Sequence, residues 1–127
     1  MTELLPELAH LYHLAIADAW NQAVHSGGPY TRSTAHRSLD EEGYIHCSME
    51  SQLQATADRH YRGRDDVVLL TIDPALLDAE IRIEDLHGMS ESFPHVYGPI
   101  PITAVIAAHP VPLRGDGTLD VAAALDH

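Results

Sequence analysis

Three histidines stand inside apolar, structure-forming stretches of this chain: His13 in Leu11–Ile16, His46 in Tyr44-Ile45-His46-Cys47-Ser48, and His95 in Phe93-Pro94-His95-Val96-Tyr97. Imidazole titrates near neutral pH and can carry a proton, hold a ligand hydroxyl or ligate a metal, so three that converge make an acid–base or binding centre. The catalytic reading gives His13 and His46 the task of positioning a ligand and His95 that of acid or base. Each histidine also has a plainer reading, a core side chain bonded to backbone, because buried polar groups exist mostly as satisfied hydrogen-bond partners. Three histidines from different strands could equally hold a catalytic metal, which needs three protein ligands and an open position. Nothing matches an H-E-x-x-H helix, and no metal ligand set is assigned.

Around these lie residues suited to a ligand. Ser48 follows a β-prone stretch and stands where it can cap a helix from Met49 to about Tyr61, next to amides that would bind an anionic group. Gln52, one turn further, faces the same way and can bond a ligand amide or simply lie in solvent. Tyr97, beside glycine and proline kinks, can wall a pocket for a flat ring or pack in the core, and Tyr12 adds aromatic surface near His13. Tyr12, Ser48, Gln52 and Tyr97 are therefore the candidate cofactor- or ligand-binding residues.

Cys47 is the only cysteine, which rules out an intramolecular disulfide or a cysteine-rich zinc site and suits a reducing cytoplasm. Neighbours along a strand point to opposite faces, so the His46 imidazole is not set to activate the Cys47 thiol. Glu84 and Glu91 are the acids nearest the His95 segment, and both read as solvated.

The elements that must position these residues follow from period and punctuation. Leu11 to Ile16 alternates as a strand, with Leu11, His13 and Ala15 on one face. Asp18 is placed to cap a helix through His25 that stops at Gly27 and Gly28. Ser38-Leu39-Asp40-Glu41 is a capping box and Gly43 ends its short turn. Asp66 to Asp73 is a continuous apolar run of strand length, as in a central strand covered on both faces, and Asp73-Pro74 starts a short turn. Glu80 to Glu84 alternates as an edge strand with one wet face. Residues 85–101 carry two glycines and three prolines and read as a packed loop; Ala104 to His109 is a last strand, followed by a loose acidic tail.

Composition bounds the rest. A chain of 127 residues with 45% hydrophobic and 20% charged residues is sized and composed as one domain, with a core over about 11–113 and a tail over about 114–127. The N-terminal Met1 to Glu7 has no basic start or apolar run, so no secretory signal is expected, and no stretch would span a bilayer. Seven arginines, no lysine and nineteen acids give a net charge of -12, which repels nucleic acid and anionic lipid, although the clustered Arg59, Arg62 and Arg64 could hold one small anion locally. The expected partner is a small-molecule ligand, with neither nucleic acid nor membrane, and the chain a monomer or homodimer.

Several ordered motifs carry a resemblance: Tyr12-His13-Leu14-Ala15, Glu42-Gly43-Tyr44-Ile45-His46-Cys47-Ser48 with Gln52, Tyr61-Arg62-Gly63 before Val68 to Asp73, and Phe93-Pro94-His95-Val96-Tyr97-Gly98-Pro99-Ile100. Together they resemble the domain of unknown function 952 family over nearly all of residues 11–113. The resemblance implies an ADP-ribosyltransferase-like fold: an α+β domain whose small split β-sheet and short helices surround a central cleft, which in relatives holds nicotinamide adenine dinucleotide (NAD). On that analogy His13 meets the nicotinamide-side ribose, Ser48 lies on the second strand segment and Tyr97 lines the nicotinamide pocket. Neither Glu84 nor Glu91 sits in the Glu-x-Glu or Gln-x-Glu context of active transferases. The implied function is a small cytoplasmic enzyme acting on a nucleotide-like or other small polar ligand. The alternatives are a noncatalytic binding or sensor module and a metal-dependent enzyme.

Overall fold

Strand β3 (Val67–Ile72) is the apolar run of the sequence and the centre of the first sheet. It pairs antiparallel with β1 (Leu11–Ile16) on one side and β6 (Val105–Pro110) on the other, with Leu11 opposite Ile72 and His13 opposite Leu70. The computed structural model describes residues 9–86, 88 and 90–126, so Met1 to Glu7 lie outside the described residues. Alternation along β1 divides the core: Leu11 and Ala15 enter one cluster with Ile45, Leu70, Ile72, Val96 and Ile100, while Tyr12 and Leu14 enter another with Leu53, Leu69 and Leu119.

The second sheet has the order β2-β5-β4, from β2 (Ile45–His46), β5 (Phe93–Val96) and β4 (Ile81–Glu84), again antiparallel. The two sheets meet where β1 bridges Ser48, through mutual backbone bonds of 2.9 and 2.8 Å between Tyr12 and Ser48. Short helices α1 (Ala17–Ser26), α2 (Leu39–Glu42), α3 (Leu53–His60) and α4 (Val121–Leu125) complete a small α+β domain with two antiparallel sheets. Among the described residues no helix is long and apolar enough to cross a membrane.

The capping box at α2 forms as read, with Ser38 accepting from the Glu41 amide and Glu41 from that of Ser38. Four expectations need correction. Residues 93–96 are not loop but the central strand of the second sheet. Pro94 is tolerated there because β2 is ending beside it, and only its carbonyl is needed, accepting from the Cys47 amide at 3.0 Å. Asp18 does not cap α1; it lies in the first turn, and the N-cap is Ile16, whose side chain has no acceptor. Nor does Ser48 cap a helix from Met49. Both backbone groups of Ser48 are spent on Tyr12, its hydroxyl meets Thr56 at 3.4 Å, and the Met49 amide is capped by Gln52 Oε1 at 3.0 Å, through a 3-10 turn that precedes α3. The C-terminal segment folds back rather than hanging loose: Leu119, Val121 and Ala124 are buried against Leu53, Ala57 and Leu69.

Candidate functional site

The period of two sorts the second sheet into two unlike faces. Ile45, Val96 and Ile81 form one row and point into the core. The next row, His46, His95 and Arg82, points the other way, together with Tyr44, Phe93, Tyr97 and Glu84 at the alternate positions of the same strands. The polar face is thus an array of aromatic and ionisable groups laid on an apolar support. Tyr44 stacks on His95 with ring centroids 4.1 Å apart, His46 lies 5.5 Å from His95 and 5.2 Å from Phe93, and the Arg82 guanidinium sits 4.1 Å over the Tyr97 ring.

A cleft of about 710 Å³ opens against this face. Tyr44, His46 and Phe93 form its sheet side, Thr56, Arg59, His60 and Tyr61 come from α3 and its end, and Thr34 to Arg37 with Glu42 close it. Its volume falls in the usual range for a small-molecule site. Of the three candidate histidines, His46 is on its wall.

His46 is held by its backbone. Within β2 its amide and carbonyl face away from β5, so the amide donates to Ser33 Oγ at 3.2 Å and the carbonyl accepts from His13 Nδ1 at 2.7 Å. Because a carbonyl only accepts, Nδ1 of His13 carries the proton. Its Nε2 then accepts from the Tyr30 hydroxyl at 2.8 Å. Burial lowers the His13 pKa to about 4, working against the bond to His46 that favours the cation, so the ring is neutral. Burial likewise raises the Tyr30 hydroxyl well above its ordinary range. His13 is 3% exposed with both nitrogens engaged: it touches His46 through the backbone, and its ring faces the core.

His95, 1% exposed, has an acidic partner. Its Nδ1 donates to Glu84 Oε2 at 2.9 Å, and the Tyr97 hydroxyl donates to the same oxygen. Burial works to raise the Glu84 carboxyl, but the bonds from Tyr97 and His95 and the charges of His95 and Arg82 outweigh it and hold the pKa below the usual value. The bond to Glu84 first, and burial second, raise the Tyr97 hydroxyl. His95 Nε2 is buried without a hydrogen-bond partner among the described residues. Leaving such an atom unpaired costs about 1–3 kcal/mol.

The other candidates lie apart. Gln52 donates to Glu91 at 3.0 Å and to the Ser92 carbonyl at 2.8 Å, clamping the approach to β5 onto the start of α3. Ser48 is 2% exposed, and the Tyr12 hydroxyl reaches Glu50 at 3.4 Å. The structure therefore brings His46, His95 and Tyr97 onto one face and leaves Tyr12, His13, Ser48 and Gln52 behind or beside it. Tyr44, Phe93 and Arg37 join the site without having been assigned to it, Arg59 reaches it from the arginine cluster, and Glu84, expected to be solvated, instead accepts from His95 and Tyr97. The signal for Glu84 was its alternation with Arg82 in β4, which becomes meaningful only once β5 is seen to be the neighbouring strand. Among the described residues no group of three histidine, cysteine, aspartate or glutamate side chains could hold a metal ion.

Cys47 occupies the core face behind His46, 1% exposed, with burial pushing its thiol up to about 12. The native protein is therefore expected to resist Ellman's reagent at pH 8 and to release one equivalent of thionitrobenzoate in denaturant. Rapid reaction of the folded chain would contradict the buried thiol.

No curated protein matches the sequence significantly. A crystal structure of protein CC0527 from Caulobacter crescentus is similar at 26% identity with a TM-score of 0.79, covering 93% of this chain and 99% of that one. The solution NMR structure of CC0527 gives 26% identity and a TM-score of 0.74, covering 91% and 96%. Residues 14–108 match the model of the family described as protein of unknown function DUF952. With that match over most of the chain, and a fold shared with CC0527 over 93% of it, the protein belongs to the DUF952 family.

Proposed function

We propose that this chain is a small cytoplasmic enzyme that binds a small polar ligand in the cleft at Tyr44, His46 and Phe93 and transfers a proton through His46. The observation that carries the reading is the position of His46 on the cleft wall with both backbone groups tied down. A fixed backbone supplies the preorganisation that acid–base chemistry needs. The neighbouring Glu84–His95 pair, with one buried nitrogen unpartnered among the described residues, adds support, since a catalytic role is one of the reasons a buried polar atom goes unsatisfied.

The ADP-ribosyltransferase-like reading of the fold belongs to this proposal. Its support is the bridge between two three-stranded sheets at Tyr12 and Ser48. Of the residues assigned to NAD by that analogy, His13 and Ser48 do not fit the dinucleotide as they stand. His13 has both nitrogens engaged in the interior, and Ser48 is buried against Thr56. No step of the proposal therefore runs through NAD. The three-histidine metal reading loses its support in the same way, because a metal would need the His13 nitrogens that hold His46 and Tyr30.

The test is a nucleotide and metabolite panel followed by amide NMR on the full chain, with turnover of any hit monitored by product formation. The expected result is shifts at Tyr44, His46 and Phe93, with turnover reduced about a hundredfold or more in His46→Gln. Turnover unaffected by His46→Gln would remove the catalytic role, and hits that bind elsewhere would remove the cleft. Tight binding without turnover would instead support a noncatalytic module. That second reading draws on the commitment of His13, Ser48 and Gln52 to the fold itself.

A further inference from the structure

We infer that the ligand of this cleft is an anion: a planar ring laid against Tyr44 and Phe93, with a phosphate or carboxylate group taken by the Arg59 guanidinium and supported by Arg37. The inference rests on the cleft reading above and adds the ligand's charge to it.

Nineteen acids surround seven arginines, so every guanidinium has carboxylates to spare. Arg64, Arg82 and Arg114 pair with Asp66, Glu80 and Asp120. Arg32 and Arg62 bond the carbonyls of Ala35 and Asp116, and Arg37 lies 3.5 Å from Glu42. Arg59 has neither hydrogen bond nor ion pair among the described residues, and it stands on the cleft wall. In a chain of charge -12 an arginine without an acidic partner among the described residues is a local exception, and a planar guanidinium is the side chain best shaped to hold a phosphate or carboxylate in two bonds.

The rest of the wall adds a second guanidinium. Arg37 and Arg59 face the cavity against one carboxylate, Glu42, with the hydrogen-bonding imidazoles of His36, His46 and His60 around them. That carboxylate is already engaged by the Tyr44 hydroxyl at 3.0 Å and by Arg37. A cation in the last turn of α3 also complements the helix dipole. The dipole explains why a basic residue is tolerated there, but it does not explain why Arg37 and the imidazoles converge from other segments on the same cavity. The aromatic surfaces of Tyr44 and Phe93 beside Arg37 and Arg59 supply the flat, apolar contact that a ring requires.

The test compares three probes that share one ring: adenosine, adenosine 5′-monophosphate and adenosine 5′-carboxylate, titrated into the full chain and its Arg59→Gln variant by calorimetry and amide NMR. Both anions are expected to bind about tenfold or more tightly than adenosine, as a charge-assisted bond to a guanidinium implies. Arg59→Gln is expected to remove most of that advantage while leaving the melting temperature unchanged, because Arg59 is exposed. The tighter of the two anions identifies the group as phosphate or carboxylate. Equal binding of all three probes at Tyr44, His46 and Phe93, or an anion preference that survives both Arg59→Gln and Arg37→Gln, overturns the inference and leaves the cleft reading standing. No shift at those residues with any probe at millimolar concentration overturns both.

Discussion

Replacing His13 with alanine is expected to destabilise the protein by about 3 kcal/mol or more at neutral pH, the largest effect of any substitution at the candidate site. The ring is 3% exposed and joins the His46 carbonyl to the Tyr30 hydroxyl. Its removal leaves a cavity and two buried polar groups without partners. Acid should have a related effect on the native protein. Burial lowers the folded pKa of His13 to about 4 from the ordinary value of 6.5, so between those pH values the unfolded chain binds a proton that the folded one does not. Stability from this group is therefore complete above about pH 6.5 and is lost as pH falls toward 4, by about 3 kcal/mol in all. Urea denaturation of wild type and His13→Ala at pH 7 and pH 4.5 checks both statements. The difference between the two proteins should shrink at the lower pH. A constant difference would mean that His13 is not held neutral in the interior.

Replacing Glu84 with glutamine is expected to cost about 2 kcal/mol and to change the titration of one tyrosine. A single carboxylate oxygen accepts from both His95 Nδ1 and Tyr97, and an amide oxygen cannot match its charge. The bond to Glu84 is the main reason that the Tyr97 hydroxyl is raised. In Glu84→Gln that hydroxyl should ionise nearer the usual tyrosine value, while Tyr30, Tyr44 and Tyr61 stay high because burial is the first cause of their shifts. Ultraviolet difference titration of tyrosinate in the wild type, Glu84→Gln and Tyr97→Phe measures this directly. If Glu84→Gln leaves the titration unchanged, or the new early phase persists when Tyr97→Phe is added, Glu84 does not govern Tyr97. Glu84 acts on His95 through Nδ1, which makes it a positioning residue; tautomer-sensitive ¹⁵N spectra of His95 should change in the same variant.

Much of the fold could be read from local pattern. The continuous apolar run at Val67 to Ile72 is the central strand, the alternation at Ile81 to Glu84 is an edge strand, and the Ser38 and Glu41 capping box forms. These follow from period and from short-range hydrogen bonding, which a chain carries residue by residue. The misreadings were nonlocal. Pro94 argued against a strand, and the argument failed because the strand beside it ends there. Ser48 looked like a cap by sequence spacing, yet its backbone is recruited by Tyr12, thirty-six positions earlier.

The candidate site divides in the same way. The sequence by itself determined that His46 and Cys47 lie on opposite faces, because neighbours on a strand must, and that a lone cysteine forms no intramolecular disulfide. It could name His13, His46 and His95 but not their surroundings. Tertiary structure alone decided that His13 spends both nitrogens inside the fold, that Glu84 and Tyr97 converge on one oxygen beside His95, and that His46 reaches a cleft with Arg59 on its wall. The physical reason is that a side chain's facing follows from its own strand, whereas its partners come from whichever distant segments the two sheets bring against it.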